Sequence, residues 1–536
     1  MKKRHESVSP VLHPASMLAG AVLASALLLP ALSRAADDDI VRFEISRFEV
    51  QGNSLLSGAE IDTALAPYTG RNKDFGDVQR ALETLEAIYH GRGYRIVTVE
   101  LPEQELNGGK VLLRVVETRI GRVRVVNNQY FDEANIRRTL PALQEGRSPD
   151  LTALSANLKL VNDNPAKNVT MKLQSGEADD EVDAELEVKD QRPWKVMANL
   201  DNTGTEQTGK THVSTVLQHA NLFGRDHVAT LQYTTTAEEP GRVKVYGAGY
   251  HIPLYQLGDT VDLYASYSNV DSGKVTAGIF NLAVSGKGAT YGARYTHNLA
   301  RQGELESQLS LGLDYKAYKN SVLLQGLELG NDVTVHPLSL GYQASLSSGA
   351  GSVSGQLTLS QNLPGGSKGD QHAFNAVRDG AKAGYTVLRA LGSAVKGFSN
   401  DWQVRAIFNG QYSPHELVPG EQFGAGGASS VRGFLEREIA NDSGATLNLE
   451  VYGPNLCPRE GWNCRLLGFY DSAYIRRSHP AAGELASTSI GSAGIGARFV
   501  LSTYVNLQFD LGHIVKMGAT SHHDANRLHI RLGLAY

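Results

Sequence analysis

Two hydrophobic rhythms divide this chain. From Phe43 to about Asp190 the apolar positions change period several times, in the same order twice. Phe48 and Val50 alternate with polar neighbours up to Gly52, which predicts a strand and a turn. Ser57 and Glu60 have capping-box spacing ahead of Ile61, Ala64 and Leu65, a short helix closed by Pro67. Val78, Ala81, Leu82, Leu85, Ile88 and Tyr89 fall at helical spacing, and Gly91 and Gly93 end that helix. Two strands follow, Arg95–Leu101 and Lys110–Glu117, parted by Asn107-Gly108-Gly109. The order β-α-α-β-β then recurs: a strand through Val123 and Val125, a helix over Glu133–Leu140, a helix through Leu151, Leu154, Leu158 and Val161, and strands Val169–Leu173 and Val182–Val188. Tandem α+β modules are expected over 36–117 and 118–190, the first including a short lead.

After Gln191 the helical period disappears. Residues 191–536 hold about sixteen segments of alternating polarity, or about 22 residues per strand and connection, which suits tilted membrane strands of roughly 10 residues. Val505, Leu507, Phe509 and Leu511 face one way while Asn506, Gln508 and Asp510 face the other; Leu447, Leu449 and Val451 do the same against Asn448 and Glu450. An exported chain with this many two-faced hairpins is read as an all-β transmembrane barrel of about 16 antiparallel strands, because closure leaves no unpaired backbone edge in lipid. The last segment, Leu528–Tyr536, alternates strictly and ends on an aromatic residue.

The N-terminus sets the compartment. Lys2, Lys3 and Arg4 precede an apolar run from Met17 to Leu32, and Ser33-Arg34-Ala35 places small residues where a signal peptidase reads them. Residues 1–35 are therefore expected to be a secretory signal peptide. Its removal takes away Lys2, Lys3, Arg4, Arg34 and Glu6, a net +3, so the formal charge moves from −5 to −8. That balance argues against a nucleic-acid surface. Two cysteines exclude both a disulfide scaffold and a multi-cysteine zinc site. Cys457 and Cys464 flank Pro458 and Gly461, which suit a turn, and in an oxidising envelope they are expected to close it as a disulfide.

The most specific constellation is Gly420-Glu-Gln-Phe-Gly-Ala-Gly-Gly-Ala-Ser-Ser-Val-Arg-Gly-Phe434, within a long connection over about 414–444, followed by Leu467-Gly-Phe-Tyr-Asp471. These resemble the paired motifs of the two-partner secretion transporters, the ShlB/FhaC/HecB haemolysin secretion/activation family, within the superfamily of barrel-assembly factors. The α+β repeats resemble that family's POTRA modules, and the C-terminal strand resembles the terminal signal of bacterial outer-membrane barrels. The resemblance implies that the loop carrying Val431, Arg432, Gly433 and Phe434 folds into the barrel, where Arg432 meets Asp471. Phe469 and Asp471 share a strand face opposite Leu466 and Tyr470, so both can point into the lumen. It further implies an outer-membrane pore, with POTRA modules in the periplasm, that binds an unfolded exoprotein bearing an N-terminal secretion domain and threads it to the cell surface. Its other partners would be outer-membrane lipid and the barrel-assembly machinery that inserts it. Recognition is expected by β-augmentation at an edge such as Arg95–Leu101, through Arg95, Ile96, Val97, Thr98 and Val99. Well-known members carry a plug helix ahead of the first module; here about seven residues separate Ala35 from Phe43, which implies gating by the loop alone or a start codon elsewhere.

Other signals are weaker. Gly424-Ala-Gly-Gly427 lacks the β-α frame of a dinucleotide site, and His522-His523-Asp524 reads as a polar turn rather than a metal site. No nucleophile–base pairing supports catalysis, so neither enzyme activity, nor a cofactor, nor a metal is expected. Two alternative functions fit less well: an assembly factor inserting other barrels, against which two modules rather than a longer array count, and a passive porin, which leaves the modules unexplained.

Overall fold

The structure, a computed structural model, describes residues 41–536 apart from 106, 207, 270–286, 320–322, 325–326, 329–330 and 521–523. The signal peptide read at 1–35, the space for a plug helix, and His522 and His523 lie outside the described residues.

Both N-terminal modules are built on one plan. In the first, strand Lys110–Val116 lies centrally, parallel to Arg47–Gln51 and antiparallel to Thr98–Glu100, with helices Gly58–Leu65 and Phe75–Gly91 packed on the sheet. In the second, Glu181–Asp190 lies centrally, parallel to Arg119–Val126 and antiparallel to Lys167–Ser175, with helices Glu133–Thr139 and Leu151–Asn162. The helices start where their sequences cap them. Glu60 Oε2 accepts the Ser57 N–H at 3.1 Å, Asp74 Oδ1 accepts the Asp77 N–H at 3.0 Å, and Asp150 Oδ1 accepts the N–H groups of Thr152 and Ala153. Leu85, Tyr89, Val97 and Leu113 centre one core; Phe131, Ile136, Leu154, Val161 and Leu186 centre the other.

One element is shorter than its alternation predicts. Arg95–Leu101 reduces to the strand Thr98–Glu100, with Arg95 and Ile96 in a turn and Val97 buried in the core. The chain leaves helix Phe75–Gly91 so closely that His90 Nε2 sits 3.0 Å from the Val97 carbonyl, and the Val99 N–H already donates to Glu86 Oε2 at 3.3 Å. Side chains of the preceding helix thus occupy backbone groups that a longer strand would offer.

The second module is fastened to the barrel. Lys167 forms a fully buried ion pair with Asp226 in the first periplasmic turn. Asn135 Nδ2 donates to Asp226 Oδ1 at 2.8 Å, and the Tyr255 hydroxyl donates to Asp226 Oδ2 at 2.7 Å. Ala220, Val228 and Tyr255 of the barrel join the module's own apolar core.

The barrel closes through sixteen long antiparallel strands. Its first strand, Trp194–Asp201, pairs with the last, Asn526–Ala535, and beyond that ladder Val196 and Tyr536 exchange two backbone hydrogen bonds of 2.9 and 2.8 Å. Among the described residues no helix is long and apolar enough to cross a membrane; the strands do it. Rows of side chains such as Leu311, Leu340 and Leu359 stand outward on paired strands, while their neighbours Ser339 and Ser360 are buried inside. This is the alternation expected of a wall between lipid and a polar lumen.

Candidate functional site

The eleventh connection, 413–442 between strands Gln403–Tyr412 and Ser443–Tyr452, turns inward rather than outward. It forms a small hairpin of its own: Phe423–Ala425 pairs antiparallel with Ile439–Asn441, and a short 3-10 turn at Pro419–Glu421 precedes it. Sequence pattern gave this segment only as a loop, because three-residue strands show no usable period. The stem and tip carry Phe423, Ala425, Val431, Phe434 and Ile439, which bury themselves against Ala473, Ile475, Ile490 and Ile514 of the barrel wall. A patch of apolar residues on the lumen side of the strands is thus what seats the hairpin.

Arg432 sits at the tip. Its Nε and Nη2 donate to Asp471 Oδ2 and Oδ1, each at 2.7 Å, in a bidentate pair, and its backbone N–H adds a third bond to Asp471 Oδ2 at 3.1 Å. Its Nη1 donates to Glu450 Oε1 at 2.8 Å and to Asp510 Oδ1 at 3.2 Å. The guanidinium also stacks over the Phe469 ring, 3.5 Å from its centroid. The Arg432 side chain is 4% exposed and Asp471 0%. Phe469 and Asp471 are buried while Leu466 and Tyr470 stand out toward the membrane, so one strand supplies both the stacking ring and the carboxylate.

Sequence pattern placed Glu450 and Asp510 on inward faces but did not bring them to Arg432, and it missed the surrounding shell. Arg498 Nη2 donates to Asp510 Oδ1 at 2.8 Å, Arg405 lies 3.7 Å from Glu450, and Tyr452 donates to Glu450 Oε2 at 2.7 Å. Asn448 Nδ2 donates to Asp471 Oδ1 at 2.8 Å and also to the Ser430 carbonyl. Three arginines thus face three carboxylates: Arg432 and the carboxylates are buried, Arg498 is half-buried, and Arg405 completes the charge balance from the solvent side, 43% exposed. The Gly433 N–H donates to His529 Nε2 at 3.0 Å. Gly433 takes a left-handed φ of +96°, and a Cβ on Gly512 of the facing strand would lie 2.7 Å from Gly433 N, so two glycines permit the backbone of the tip to touch the wall.

The base of the hairpin is held separately. Asp442, fully buried, accepts both Nη groups of Arg378 and the N–H groups of Leu417 and Ser478. Glu421 accepts from Lys316 Nζ at 2.8 Å, Arg389 Nη2 at 3.1 Å and the Tyr318 hydroxyl at 2.7 Å. On the opposite rim Cys457 and Cys464 are joined in a disulfide, with Cα atoms 5.3 Å apart. Among the described residues no cluster of His, Cys, Asp and Glu is arranged to hold a metal.

The sequence model of the family described as haemolysin secretion/activation protein ShlB/FhaC/HecB matches residues 180–499, and that of the ShlB-type POTRA domain matches 43–118. The outer membrane transporter CdiB of Escherichia coli O6:K15:H31 is 24% identical over 430 residues, covering 76% of this chain and 68% of its own. The hemolysin transporter protein ShlB of Serratia marcescens is 24% identical over 399 residues, covering 74% and 69%. Among solved structures, CdiB from Escherichia coli superposes with a TM-score of 0.73 at 20% identity, covering 94% of this chain and 92% of that one; CdiB from Acinetobacter baumannii gives 0.67 at 15%, covering 92% and 90%.

Proposed function

Since this chain belongs to the haemolysin secretion/activation family ShlB/FhaC/HecB, we propose that it is the outer-membrane half of a two-partner secretion pair. It takes an unfolded exported protein from the periplasm and releases it at the cell surface. The observation that carries this reading is a barrel whose lumen is entered by a loop clamped through Arg432 to Asp471, above two POTRA modules. A passive porin needs neither a clamped lumen loop nor the modules. The periplasmic modules hold the cargo in extended form by adding its backbone to a sheet edge. The proposed contact Arg95–Val99 offers only a short stretch of edge, whereas the nine-residue edge Lys167–Ser175 of the second module offers more; Val169 there is capped by Asn162, and the strand continues beyond it. No nucleotide reaches this compartment from the cytoplasm, so folding of the cargo outside supplies direction. The protein acts without catalysis, sits in outer-membrane lipid, and depends on the barrel-assembly machinery for its own insertion.

The test is deletion of the gene in its own bacterium, followed by comparison of surface, medium and outer-membrane proteins. Loss of one large exported protein from the surface, restored by the intact gene, is expected. A general loss of outer-membrane barrels would instead establish an assembly factor, and an unchanged protein profile with altered solute uptake would establish a porin.

A further inference from the structure

The inward hairpin is tied to walls on opposite sides of the barrel. Its tip binds the twelfth, thirteenth, fifteenth and sixteenth strands through Glu450, Asp471, Asp510 and His529. Its base binds the seventh strand, Leu305–Lys319, through Lys316 and Tyr318, and the tenth, Thr386–Gly397, through Arg389. Lys316 and Asp510 lie eight strands apart in a ring of sixteen, which is diametrically opposite. The hairpin is a crossbar.

The two ends differ in what their release would leave behind. Withdrawing Arg432 strands Asp471, 0% exposed, with Glu450 and Asp510 also buried, and converts a balanced cluster into an unbalanced one. A buried charge left without its partner is strongly unfavourable. Withdrawing Glu421 frees Lys316 and Arg389, whose side chains are already 20% and 34% exposed, so water can solvate them. Glu421 itself would leave burial for water. Close fit at this end is nonetheless specific: a Cβ on Gly420 would lie 2.5 Å from the Tyr318 ring. Beside the same wall a cavity already runs along Arg294, Asp314, Gln356, Thr358 and Asn409.

We propose that Glu421 is the releasable latch of the loop: the turn Pro419–Gln422 swings off the wall of the seventh and tenth strands while the Arg432 tip, and the apolar seat of Phe423 and Ala425, stay in place. The passage then opens along the Arg294–Asn409 wall, and Glu421 is a positioning residue for transport. The inference rests on the pore reading, but its test requires no secreted partner and fails separately from it.

The experiment uses the full-length protein in intact outer membranes. Gln422→Cys marks the turn and Ser430→Cys marks the tip, and each is alkylated by a membrane-impermeant thiol reagent with Glu421 intact and with Glu421→Gln. The expected result is a rise of about tenfold in the Gln422→Cys rate and no change at Ser430→Cys, with heat resistance in detergent preserved. Equal rises at both positions would show that the whole loop leaves and would overturn the asymmetry. A rise at Ser430→Cys alone, or at neither, would overturn the latch. If Glu421→Gln fails to fold, Lys316→Gln and Arg389→Gln make the same comparison from the wall side, with a smaller rise expected from each.

Discussion

Arg432 is the residue on which the lumen cluster turns, and its chemistry sets what substitution does. Five N–H groups in a rigid fork satisfy three carboxylates from three strands, a task that the single ammonium of lysine cannot perform with the same geometry. Arg432→Ala is therefore expected to cut secretion by well over half while the barrel still inserts and resists heat, because the sixteen-strand ladder does not depend on the tip. Normal secretion at equal abundance in the outer membrane would remove the loop from the mechanism. Arg432→Lys should behave nearer to alanine than to wild type. Asp471→Asn keeps Asn448 and the shape but loses the charge, which leaves Arg432 with one neutral and two charged partners; it should open the loop less than Arg432→Ala does. Alternation along single strands makes the inward direction of Asp471, Glu450 and Asp510 legible in the sequence. Their meeting at one guanidinium is not legible there, because strand neighbours and stagger are fixed by closure of the whole sheet.

At the level of elements, the joint between the second module and the barrel is the least expected part of the molecule. Asn135, Lys167 and Asp226 read as ordinary polar residues of a helix, a strand and a turn, and they are 91 residues apart at the extremes. They nonetheless form one buried network in which burial lowers the Lys167 pKa while Asp226 pulls the other way. Removing one member leaves the other charged and unpaired. Lys167→Ala should cost about 3–5 kcal/mol in the stability of the docked module, whereas Lys167→Met with Asp226→Leu should recover only part of it, since Asn135 and Tyr255 still lose the carboxylate to which they donate. The check is proteolysis at the 190–194 linker in isolated outer membranes, and equal protection of the single and double variants would contradict the argument. The disulfide turn is a milder case. Asn455 Oδ1 already accepts the N–H groups of both Cys457 and Cys464, at 3.1 and 2.8 Å, and Leu456 donates to the Cys464 carbonyl at 2.8 Å. A closed loop this short adds about 2.5 kcal/mol at most by restricting the unfolded chain. Cys→Ser at both positions should lower the unfolding temperature slightly and leave secretion intact, and a loss of secretion would show that the bridge does more than staple a turn.

At the level of the whole molecule, the chain is a closed wall with one module docked on it and another module docked on the first. Helical and alternating periods made this division readable from sequence, since each module must bury a face and the wall must show one face to lipid. What they could not show is that the two junctions differ. The second module shares its apolar core with Ala220, Val228 and Tyr255 of the barrel, while at the other joint the Leu151 N–H donates to the Gly93 carbonyl at 2.9 Å beside a cleft lined by Tyr94, Glu117, Arg119 and Arg147. Deleting 43–117 should therefore abolish secretion and leave the unfolding temperature of the barrel unchanged, because no barrel core is opened. Deleting 43–190 should abolish secretion and also lower that temperature, because Val228, Tyr255 and Asp226 lose their cover and Asp226 loses its cation. Both truncated proteins should still conduct in planar bilayers, since the ladder from Trp194 to Ala535 closes without the modules. The deciding measurement is the difference between the two unfolding temperatures at equal membrane insertion. An equal loss from both deletions would mean that the first module also braces the wall, and no loss from either would mean that the buried joint around Lys167 contributes nothing to the barrel it is fastened to.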